Sequence, residues 1–357
     1  MNYKVEILKA FLENTELVKS MKDCDHGHNG RDNDYHLCGN CWTHTMLVYN
    51  QSDPDDLIEL IMALCHDIGK VITRKVKDDG SKVTFYGHAD ASIQPTIDFL
   101  MHLRNKDIIH LGDVDYFIEI GLSPMANHMI YYQNYNKLNY FTGNDTLLEV
   151  YYRRMEEMDG QGSICKGEKI EQTKGTELKK YIPKVWNDDL PVVTIWTGLP
   201  GSGKDYLADK TDDIVLSFDK TRVDVYLQYL ASIGDTMTRT PAQVYADAFV
   251  YCNEHKVDLM KIMSSNARKI LQKGNNVNIC NTSLTRKARR GIINSIGVKY
   301  NYVVKQVFTP TDVIFERNMN RTNHNVPVSV IHRMMEHMTV CTHFEPHINE
   351  IEYILNV

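Results

Sequence analysis

The segment Gly198-Leu-Pro-Gly-Ser-Gly-Lys204-Asp205 constrains the fold of this chain more than any other part of its sequence. It follows a β-rich run at 192–196 and precedes a helical stretch at 206–210. A strand, a glycine-rich turn and a helix in this order are the context that a phosphate-binding P-loop requires. The glycines let backbone N–H groups approach phosphate oxygens, and Lys204 is placed to reach the β- and γ-phosphates.

This segment predicts a nucleoside triphosphate site, which would take ATP or another NTP together with Mg²⁺. The expected contacts are Gly198, Gly201, Ser202, Gly203, Lys204 and Asp205. Asp205 departs from the usual pattern, because a Ser or Thr that binds Mg²⁺ ordinarily follows the lysine. A carboxylate is also a good Mg²⁺ ligand, so the substitution does not remove the capacity to bind the metal.

The sequence around the P-loop predicts an α/β domain with a parallel sheet, since short β-rich runs alternate with helical stretches. The runs are PVVTIWTG, IVLSFD, NVNICNTS and YNYVVKQVF. Reactive groups of such sheets lie at the carboxyl ends of strands. Asp219 and Arg222 follow the second run, where a kinase needs a carboxylate for the attacking hydroxyl and a cation for the transferred group. A helix N-cap Asp beside a surface Arg is the alternative interpretation.

Arg317 and Arg321 lie four residues apart near the end of this domain, a spacing that places two side chains on one helix face. Like charges at this spacing repel unless they face an anion. We therefore expect a mobile lid that closes on the ATP phosphates. A solvated helix face is the alternative.

The N-terminal half is predicted to be mostly helical. Residues 55–66 are apolar on most faces, which is typical of a buried helix. We also predict a hairpin over 71–86 and a helix over 146–158. Residues 160–180 are rich in Gly, Lys, Glu and Thr, which indicates a connector. The predicted organisation is an all-α domain at 1–165, a linker at 166–189 and the P-loop domain at 190–357.

The string His66-Asp67-Ile-Gly-Lys70 closes the predicted buried helix. Adjacent ligand-type side chains at such a place are costly unless they bind something. A metal ion takes its ligands from several segments, and the candidates are His44, His66, Asp67 and Asp159. Imidazole and carboxylate donors together favour Mn, Fe, Co, Ni or Zn over Ca. Asp145 competes with Asp159 for the last position.

The pattern over roughly 36–162 resembles the HD phosphohydrolase superfamily. The resemblance implies metal ligands at a first His, the His-Asp dyad and a distal Asp, which correspond to His44, His66, Asp67 and Asp159. It implies that metal-activated water attacks a phosphate ester while Lys70 binds a substrate phosphate. His88 and His128 fit family variants in which they hold a second metal or contact the phosphate.

A stretch rich in cysteine and histidine precedes this pattern. Cys38 and Cys41 have C-x₂-C spacing, which permits a structural zinc site. The neighbouring donors are Cys24, His26, His28 and His36. We favour the interpretation that His36 lines the hydrolase pocket, because YHLCGNCWTHT resembles an HD-superfamily motif.

Residues 191–338 resemble the kinase domain of phage polynucleotide kinase. The shared positions are the P-loop, Asp219, Arg222, Thr282, the basic run at 286–290, Arg317 and Arg321. The resemblance implies transfer of the ATP γ-phosphate to a 5′-hydroxyl of RNA or DNA. In that reaction Asp219 is the general base, Arg222 contacts the acceptor phosphate or the transition state, and the two lid arginines clamp the donor. Asn281 stands where the family usually has Asp.

The order of the two motif sets resembles the HD-Pnk end-healing enzymes over nearly the whole chain. This resemblance implies removal of a 2′,3′-cyclic phosphate or 3′(2′)-phosphate and phosphorylation of a 5′-hydroxyl, after which a ligase seals the strand. RNA is the favoured substrate, although DNA stays open. An HD nucleotidase fused to a small-molecule or nucleoside kinase is the alternative, and a non-enzymatic sensor is a third interpretation.

Charge and composition limit the partners. The net charge of -6 excludes a chain-wide basic surface, although Arg286, Lys287, Arg289 and Arg290 form a local basic cluster. No apolar run reaches the roughly 20 residues of a membrane helix, and we see no signal peptide. We expect a cytoplasmic protein of a bacterial or phage-infected cell, with reduced cysteines. For the aromatic residues Tyr131, Tyr132, Tyr135, Tyr140 and Phe141 we favour packing or ordinary surface over nucleobase stacking.

Overall fold

The structure is a computed structural model that describes most of the chain. The described residues are 2–30, 33, 36–80, 82–129, 146–164, 184–321, 325–342 and 345–357. Most of the predicted linker, the aromatic residues at 131–141 and Asp145 lie outside them. The chain divides into two compact units, which are Met1–Ile182 with Met335–Val340 and Pro183–Met334 with Cys341–Val357. No helix within the described ranges has the length and apolarity that a membrane crossing needs.

The N-terminal unit is helical apart from one small hairpin. Its helices are α1 (Tyr3–Leu12), α2 (Thr15–Asp23), α3 (Cys41–Asn50), α4 (Leu57–Cys65), α5 (Lys70–Thr73), α6 (His88–Ala91), α7 (Ile93–Asn105), α8 (Leu111–Tyr116), α9 (Leu122–Ala126) and α10 (Thr146–Gly162). A π-helical segment, Phe117–Gly121, joins α8 to α9. The hairpin pairs β1 (Lys75–Val76) with antiparallel β2 (Val83–Thr84) inside the range that the sequence predicts.

Helix α4 lies at the centre of this unit. Residues 58–65 are all buried, as the apolar pattern predicts. The helix begins at Leu57, later than predicted, because the Asp56 carboxylate caps it by accepting hydrogen bonds from the backbone N–H groups of Ile58 and Glu59. Glu59 is buried and pairs with Arg154 of α10, with Nε–Oε1 and Nη2–Oε2 distances of 2.6 and 2.9 Å. This bidentate pair fixes α10 against α4.

The C-terminal unit is the α/β domain that the alternating runs predict. Its strands are β3 (Val192–Gly198), β4 (Ile214–Leu216), β5 (Val277–Cys280), β6 (Asn301–Phe308) and β7 (Glu350–Leu355). Its helices are α11 (Lys204–Asp209), α12 (Phe218–Ser232), α13 (Pro241–Glu254), α14 (Leu259–Leu271), α15 (Arg286–Ile296), α16 (Thr311–Met319) and α17 (Val328–Glu336). Within the described residues the sheet has the order β4-β5-β3-β6-β7, and all pairs are parallel.

Strand β3 is the centre of the sheet and is covered on both faces. Successive side chains of a strand point to opposite faces. Ile195 lies in a buried cluster with Met263 of α14 and Ile293 of α15, whereas Trp196 packs with Ala208 of α11 on the other face. The P-loop that follows β3 therefore starts from the most enclosed part of the sheet.

One member of the predicted basic cluster, Arg289, is not part of the surface. Its side chain is fully buried, and its Nε donates to Glu345 Oε2 at 2.9 Å while Nη2 donates to Glu345 Oε1. Its Nη1 donates to the backbone oxygens of Ser283 and Leu284, at 3.3 and 3.1 Å. The expectation of a four-residue basic patch is therefore wrong at Arg289. Its guanidinium compensates a buried carboxylate, and it also binds the backbone of the loop after β5.

Replacing Glu345 with Ala leaves the buried Arg289 charge without its carboxylate. Removal of one partner of a buried ion pair costs about 3–5 kcal/mol. We expect urea unfolding of the Glu345→Ala variant to show a loss of this size. Glu352 pairs with Lys305 on the surface, so Glu352→Ala is the matched control and should cost less than about 1 kcal/mol. Equal losses in the two variants would contradict the role assigned to Arg289.

Candidate active sites

Six histidine and aspartate side chains from separate elements meet inside the N-terminal unit. They are His44 of α3, His66 at the end of α4, Asp67, His88 at the start of α6, His128 after α9 and Asp159 of α10. All six are buried. They fall into two groups, and within each group the ligand atoms lie within 4.8 Å of one another.

The first group consists of His44, His66 and Asp159. The two Nε2 atoms of the histidines are 3.4 Å apart, and His44 Nε2 lies 3.0 Å from Asp159 Oδ1. For metal–nitrogen bonds of about 2.0–2.1 Å, two ligands of a tetrahedral ion are separated by about 3.4 Å. The separation of the two histidine nitrogens therefore fits a shared cation.

The second group consists of Asp67, His88 and His128. The Nε2 atoms of the two histidines are 3.0 Å apart, and Asp67 Oδ1 lies 3.3 Å from His88 Nε2 and 3.7 Å from His128 Nε2. The other Asp67 oxygen, Oδ2, is 3.4 Å from His44 Nε2 and 3.3 Å from His66 Nε2. Asp67 therefore lies between the two groups of donors, and its two oxygens can bind a cation in either group.

Backbone carbonyls orient three of these imidazoles. The Nδ1 atoms of His66, His88 and His128 donate to the carbonyl oxygens of Ala63, Phe85 and Met125, at 3.0, 2.7 and 2.7 Å. A carbonyl oxygen only accepts, so each Nδ1 carries the hydrogen and each Nε2 of a neutral ring presents a lone pair. Fixing the tautomer through the outer nitrogen is typical of metal-binding histidines.

The arrangement of lone pairs suits a cation. Burial lowers the pKa of His88 to about 3 and also lowers the pKa of His128, so both rings are neutral at neutral pH. Two facing lone pairs beside a carboxylate repel one another unless a positive ion lies between them. The chemistry of this donor set fits a transition metal, as the sequence indicates.

Lys70 provides the fixed positive charge of this site. Its side chain is almost fully buried, and Nζ lies 2.6 Å from Asp67 Oδ2. Burial opposes ionisation of Asp67, but His66 and Lys70 hold its pKa well below the usual range. The carboxylate is therefore ionised and available as a ligand.

Two residues that the sequence analysis missed hold the ligands in place. Ser92 Oγ lies 2.8 and 3.0 Å from the backbone oxygens of His66 and His88, which share its one hydroxyl hydrogen, and it accepts from Gly69 N at 2.9 Å. A Cβ at Gly69 would lie 2.1 Å from the backbone oxygen of His88. The glycine of the HD-x-G-K string is thus needed for close approach of two ligand-bearing segments. The alternating alanines of the segment His88-Ala-Asp-Ala-Ser92 are the sequence signal that would have indicated this close packing.

The P-loop in the C-terminal unit has the backbone conformation that its glycines permit. Gly201 and Gly203 have φ of +91° and +81°. The loop begins beside Thr282, whose backbone oxygen accepts from Gly198 N at 3.2 Å. Asn356, which the sequence analysis missed, donates from Nδ2 to the backbone oxygen of Ser202 at 2.7 Å. These bonds hold the loop open for phosphate oxygens.

Asp205 lies directly beside the P-loop lysine. Lys204 is buried, and its Nζ is 3.0 Å from Asp205 Oδ2. Burial opposes ionisation of Asp205, but Lys204 lowers its pKa below the usual value. The position that usually carries a Ser or Thr therefore holds an ionised carboxylate, which suits Mg²⁺.

Asp219 and Arg222 form a contact at the start of α12. Arg222 Nη1 lies 2.5 Å from Asp219 Oδ1, and the Arg222 guanidinium lies 5.1 Å from the Phe249 ring centroid. The helix N-cap is Ser217, whose side chain accepts from Lys220 N, so the interpretation of Asp219 as an N-cap is wrong. The Arg222 side chain is only 14% exposed and does not fit a surface arginine either.

Two further residues support this pair. Asn281 Oδ1 accepts from Phe218 N at 2.8 Å, so the residue that departs from the family pattern holds the first turn of α12. Tyr245 of α13 hydrogen-bonds to Asp219, a contact that the sequence analysis missed. Tyr245 thus contacts the Asp219 carboxylate directly, whereas Asn281 holds the backbone turn that carries it.

The two lid arginines approach the P-loop from one side. Arg317 Nη1 lies 3.5 Å from the point that a Cβ of Gly203 would occupy. Helix α16 ends at Met319, so Arg321 follows the helix cap and is not on the helix face that the spacing predicts. Its charge nevertheless helps to lower the pKa of Asp205, which places it near the same site.

Replacing Gly69 with Ala should push α6 away from the start of α5, because the two nearest atoms are backbone and cannot rotate aside. Loss of the contacts that orient metal-binding side chains lowers metal affinity by roughly 10–100-fold. We expect this loss when Mn²⁺ binding to Gly69→Ala is measured by calorimetry. Gly112→Ala is the control, since a Cβ there meets nothing within 4 Å. Unchanged Mn²⁺ affinity in the Gly69 variant would contradict the arrangement described.

Comparisons with known proteins bear on the C-terminal unit. A family model for an AAA domain matches residues 193–341. No curated protein sequence matches the chain significantly. The match agrees with the P-loop and the parallel sheet, so this unit is an α/β P-loop domain that is similar to the AAA domain family. The match does not reach the N-terminal unit, so membership in the HD superfamily stays a prediction.

Solved structures similar to the chain include several kinases. A sugar kinase from Janibacter sp. HTCC2649 is 16% identical with a TM-score of 0.30, and the match covers 47% of this chain and 84% of that chain. A gluconokinase from Sinorhizobium meliloti 1021 is 14% identical with a TM-score of 0.28, covering 47% and 82%. The Pnkp1/Rnl/Hen1 RNA repair complex contains a chain with 18% identity and a TM-score of 0.30, covering 42% of this chain and 44% of that one.

Proposed function

We propose that this protein heals broken nucleic-acid ends, most readily those of RNA, with two separate active sites. The observation that carries the proposal is the presence of both sites in one chain. One is a buried cluster of four histidines and two aspartates, and the other is a P-loop with an adjacent Asp219–Arg222 pair. The first would remove a 2′,3′-cyclic phosphate or a terminal 3′(2′)-phosphate. The second would phosphorylate the 5′-hydroxyl.

The histidine and aspartate cluster would hold one or two divalent transition ions such as Mn²⁺, Ni²⁺, Co²⁺ or Zn²⁺. The bound metal supplies an activated water at neutral pH. The ligands would be His44, His66, Asp67 and Asp159, with His88 and His128 for a second ion. Lys70 would contact the substrate phosphate and neutralise part of its charge. In the hydrolysis a water oxygen bonds to phosphorus, the ester P–O bond breaks and the sugar oxygen leaves with a proton.

In the kinase half the acceptor oxygen would bond to the γ-phosphorus, and the bond from that phosphorus to the bridging oxygen would break. Asp219 would accept the proton of the hydroxyl. Arg222 would contact the phosphoryl group or the acceptor phosphate, while Lys204 and Arg317 hold the donor phosphates. Asp205 would contribute to Mg²⁺ binding, and Arg321 would help to close the site.

The two reactions are complementary in one substrate. A strand break with a 3′-phosphate and a 5′-hydroxyl cannot be joined by a ligase that needs a 3′-hydroxyl and a 5′-phosphate. The two proposed sites correct the two ends, and a ligase would act afterwards. The proposed domain division at 166–189 allows each site to have its own scaffold.

A small-molecule or nucleoside kinase fused to an HD nucleotidase is the second candidate. The observation in its favour is the burial of Arg289 against Glu345, which removes one charge from the predicted basic patch. A polynucleotide acceptor relies on cations that track its backbone, and a small acceptor does not. The choice of acceptor therefore separates the two candidates.

The kinase proposal predicts a selective effect of Asp219→Asn. Loss of a general base lowers the rate by roughly 10²–10⁴-fold. We expect this loss in transfer of labelled γ-phosphate to a 5′-hydroxyl oligonucleotide, while phosphate release from a 3′-phosphate end is retained. Asp224→Asn, an exposed position of the same helix, is the control and should keep both activities.

The same assay distinguishes the acceptors. Efficient labelling of the oligonucleotide that declines steeply with salt supports end healing. Faster labelling of free nucleosides or sugars, without salt dependence, would contradict end healing and favour a small-molecule or nucleoside kinase. A wild-type enzyme that labels no acceptor with any divalent ion would exclude the kinase activity.

The hydrolase proposal predicts the reciprocal effect for His66→Ala. Removing a buried ligand should abolish phosphate release from 2′,3′-cyclic phosphate and 3′-phosphate RNA, because the remaining donors cannot hold the ion in place. Kinase activity should remain, since the P-loop site belongs to the other unit, and unchanged helical circular dichroism reports that the N-terminal unit is folded. His102→Ala, an exposed histidine of the same unit, is the matched control. Undiminished phosphate release by His66→Ala would overturn this assignment.

A further inference from the structure

Three donors that neither proposed reaction uses meet beside the first metal group. They are His26, His36 and Cys38, and their ligand atoms lie within 4.8 Å of one another. The loop that carries them is closed by its own backbone. His26 N donates to the backbone oxygen of Gly39 at 2.8 Å, and Asp25 and Asn40 form an antiparallel bridge. This closure brings Cys38 back onto His26 across twelve residues of sequence.

The distances within this cluster have the scale of metal coordination. Cys38 Sγ lies 3.6 Å from His26 Nδ1, and the rings of His26 and His36 are 4.6 Å apart between centroids. For a zinc–sulfur bond of about 2.3 Å and a zinc–nitrogen bond of about 2.0–2.1 Å, a tetrahedral ion separates the two atoms by about 3.6 Å. The sulfur and the nitrogen therefore lie where one ion could bind both.

His26 is buried, and His36 and Cys38 are partly buried. The His26 side chain is 1% exposed. Among the described residues, His36 Nδ1 is buried without a hydrogen-bond partner. Buried polar nitrogens are nearly always paired, and each exception needs a physical reason. A ligand bound by this ring supplies such a reason.

We propose that His26, His36 and Cys38 form an additional metal site, separate from the histidine and aspartate cluster, which takes a borderline-soft divalent ion such as Zn²⁺. Two imidazoles and one thiolate select this class of ion, whereas the neighbouring cluster offers nitrogen and oxygen donors only. The two sites are adjacent, since the rings of His36 and His44 are 4.9 Å apart between centroids.

The fourth position of a tetrahedral ion would belong to water. His36 lines a cleft of about 280 Å³, which Asp25, His28 and Asn33 also border. Three protein ligands with one open position are typical of zinc sites that bind a small molecule, and closed structural sites have four protein ligands. The site is therefore suited to a water molecule or an incoming anion.

Cys41 does not belong to this cluster, although its C-x₂-C spacing with Cys38 suggests a shared site. Cys41 Sγ donates to the backbone oxygen of Asp67 at 3.4 Å. Its side chain lies with Cys24, which hydrogen-bonds to it. The two thiol groups are thus separate, and only Cys38 is assigned as a metal ligand.

Cobalt substitution tests the proposal without reference to either activity. Thiolate bound to Co²⁺ gives a charge-transfer band in the near ultraviolet, which imidazole and carboxylate ligands do not give. We expect the full-length protein loaded with Co²⁺ to show this band, and Cys38→Ser to lose it together with one metal equivalent per chain. Cys24→Ser is the matched control and should keep both the band and the metal content.

The outcomes separate the alternatives. Absence of the band from the wild-type protein overturns the proposal whether or not any variant folds. Loss of the band in Cys24→Ser with retention in Cys38→Ser also overturns it, since the thiolate would then belong to the other pair. Loss in His26→Ala, with the metal of the histidine and aspartate cluster still bound, supports the assigned ligand set.

Discussion

The buried carboxylate of Asp67 is the constraint on which the N-terminal unit depends. An ionised carboxylate without compensation would cost far more than a helical unit of this size can supply. Lys70 contacts one of its oxygens, and imidazoles approach both. Lys70 and His66 lie beside Asp67 in sequence, whereas His44, His88 and His128 come from other segments, so burial of this charge requires those segments to converge. The Glu59–Arg154 ion pair also stabilises this arrangement of helices, because it fixes the helix that carries Asp159.

Local sequence patterns predicted two helices of this unit, α4 and α10, and the six side chains of its buried cluster, but not how those side chains are grouped. The apolar run before His66 indicates a buried helix, and the HD string marks its end. The separation of ligands into two groups around Asp67 depends on the place of His128, which no local pattern specifies. Gly69 and Ser92 escaped prediction for a similar reason. Their importance arises from one backbone approach between segments about twenty residues apart.

In the C-terminal unit the periodicity predicts four strands, whereas β7 was missed. Its sequence, EIEYIL, alternates charged and apolar residues, and it lies at the edge of the sheet. The basic run at 286–290 shows the limit of counting charges. Helical periodicity turns Arg289 inward, and the Glu345 that compensates it lies 56 residues away. Counting the basic residues of this run therefore overestimates the positive charge that its surface offers to a nucleic acid.

From the sequence, Lys204 is a predicted phosphate contact and Asp205 is a departure from the usual Ser or Thr. The structure shows that the two side chains contact each other. A usual P-loop presents its lysine to the phosphates with a neutral hydroxyl beside it. Here the lysine is already compensated, so an incoming triphosphate meets a carboxylate as well as an ammonium group. A divalent ion bound by Asp205 would reverse the sign of that carboxylate's effect and would free Lys204 for the β- and γ-phosphates. The nearby Arg317 and Arg321 supply further positive charge. We therefore expect nucleotide and metal binding to be coupled more tightly here than in a P-loop that has a hydroxyl at this position.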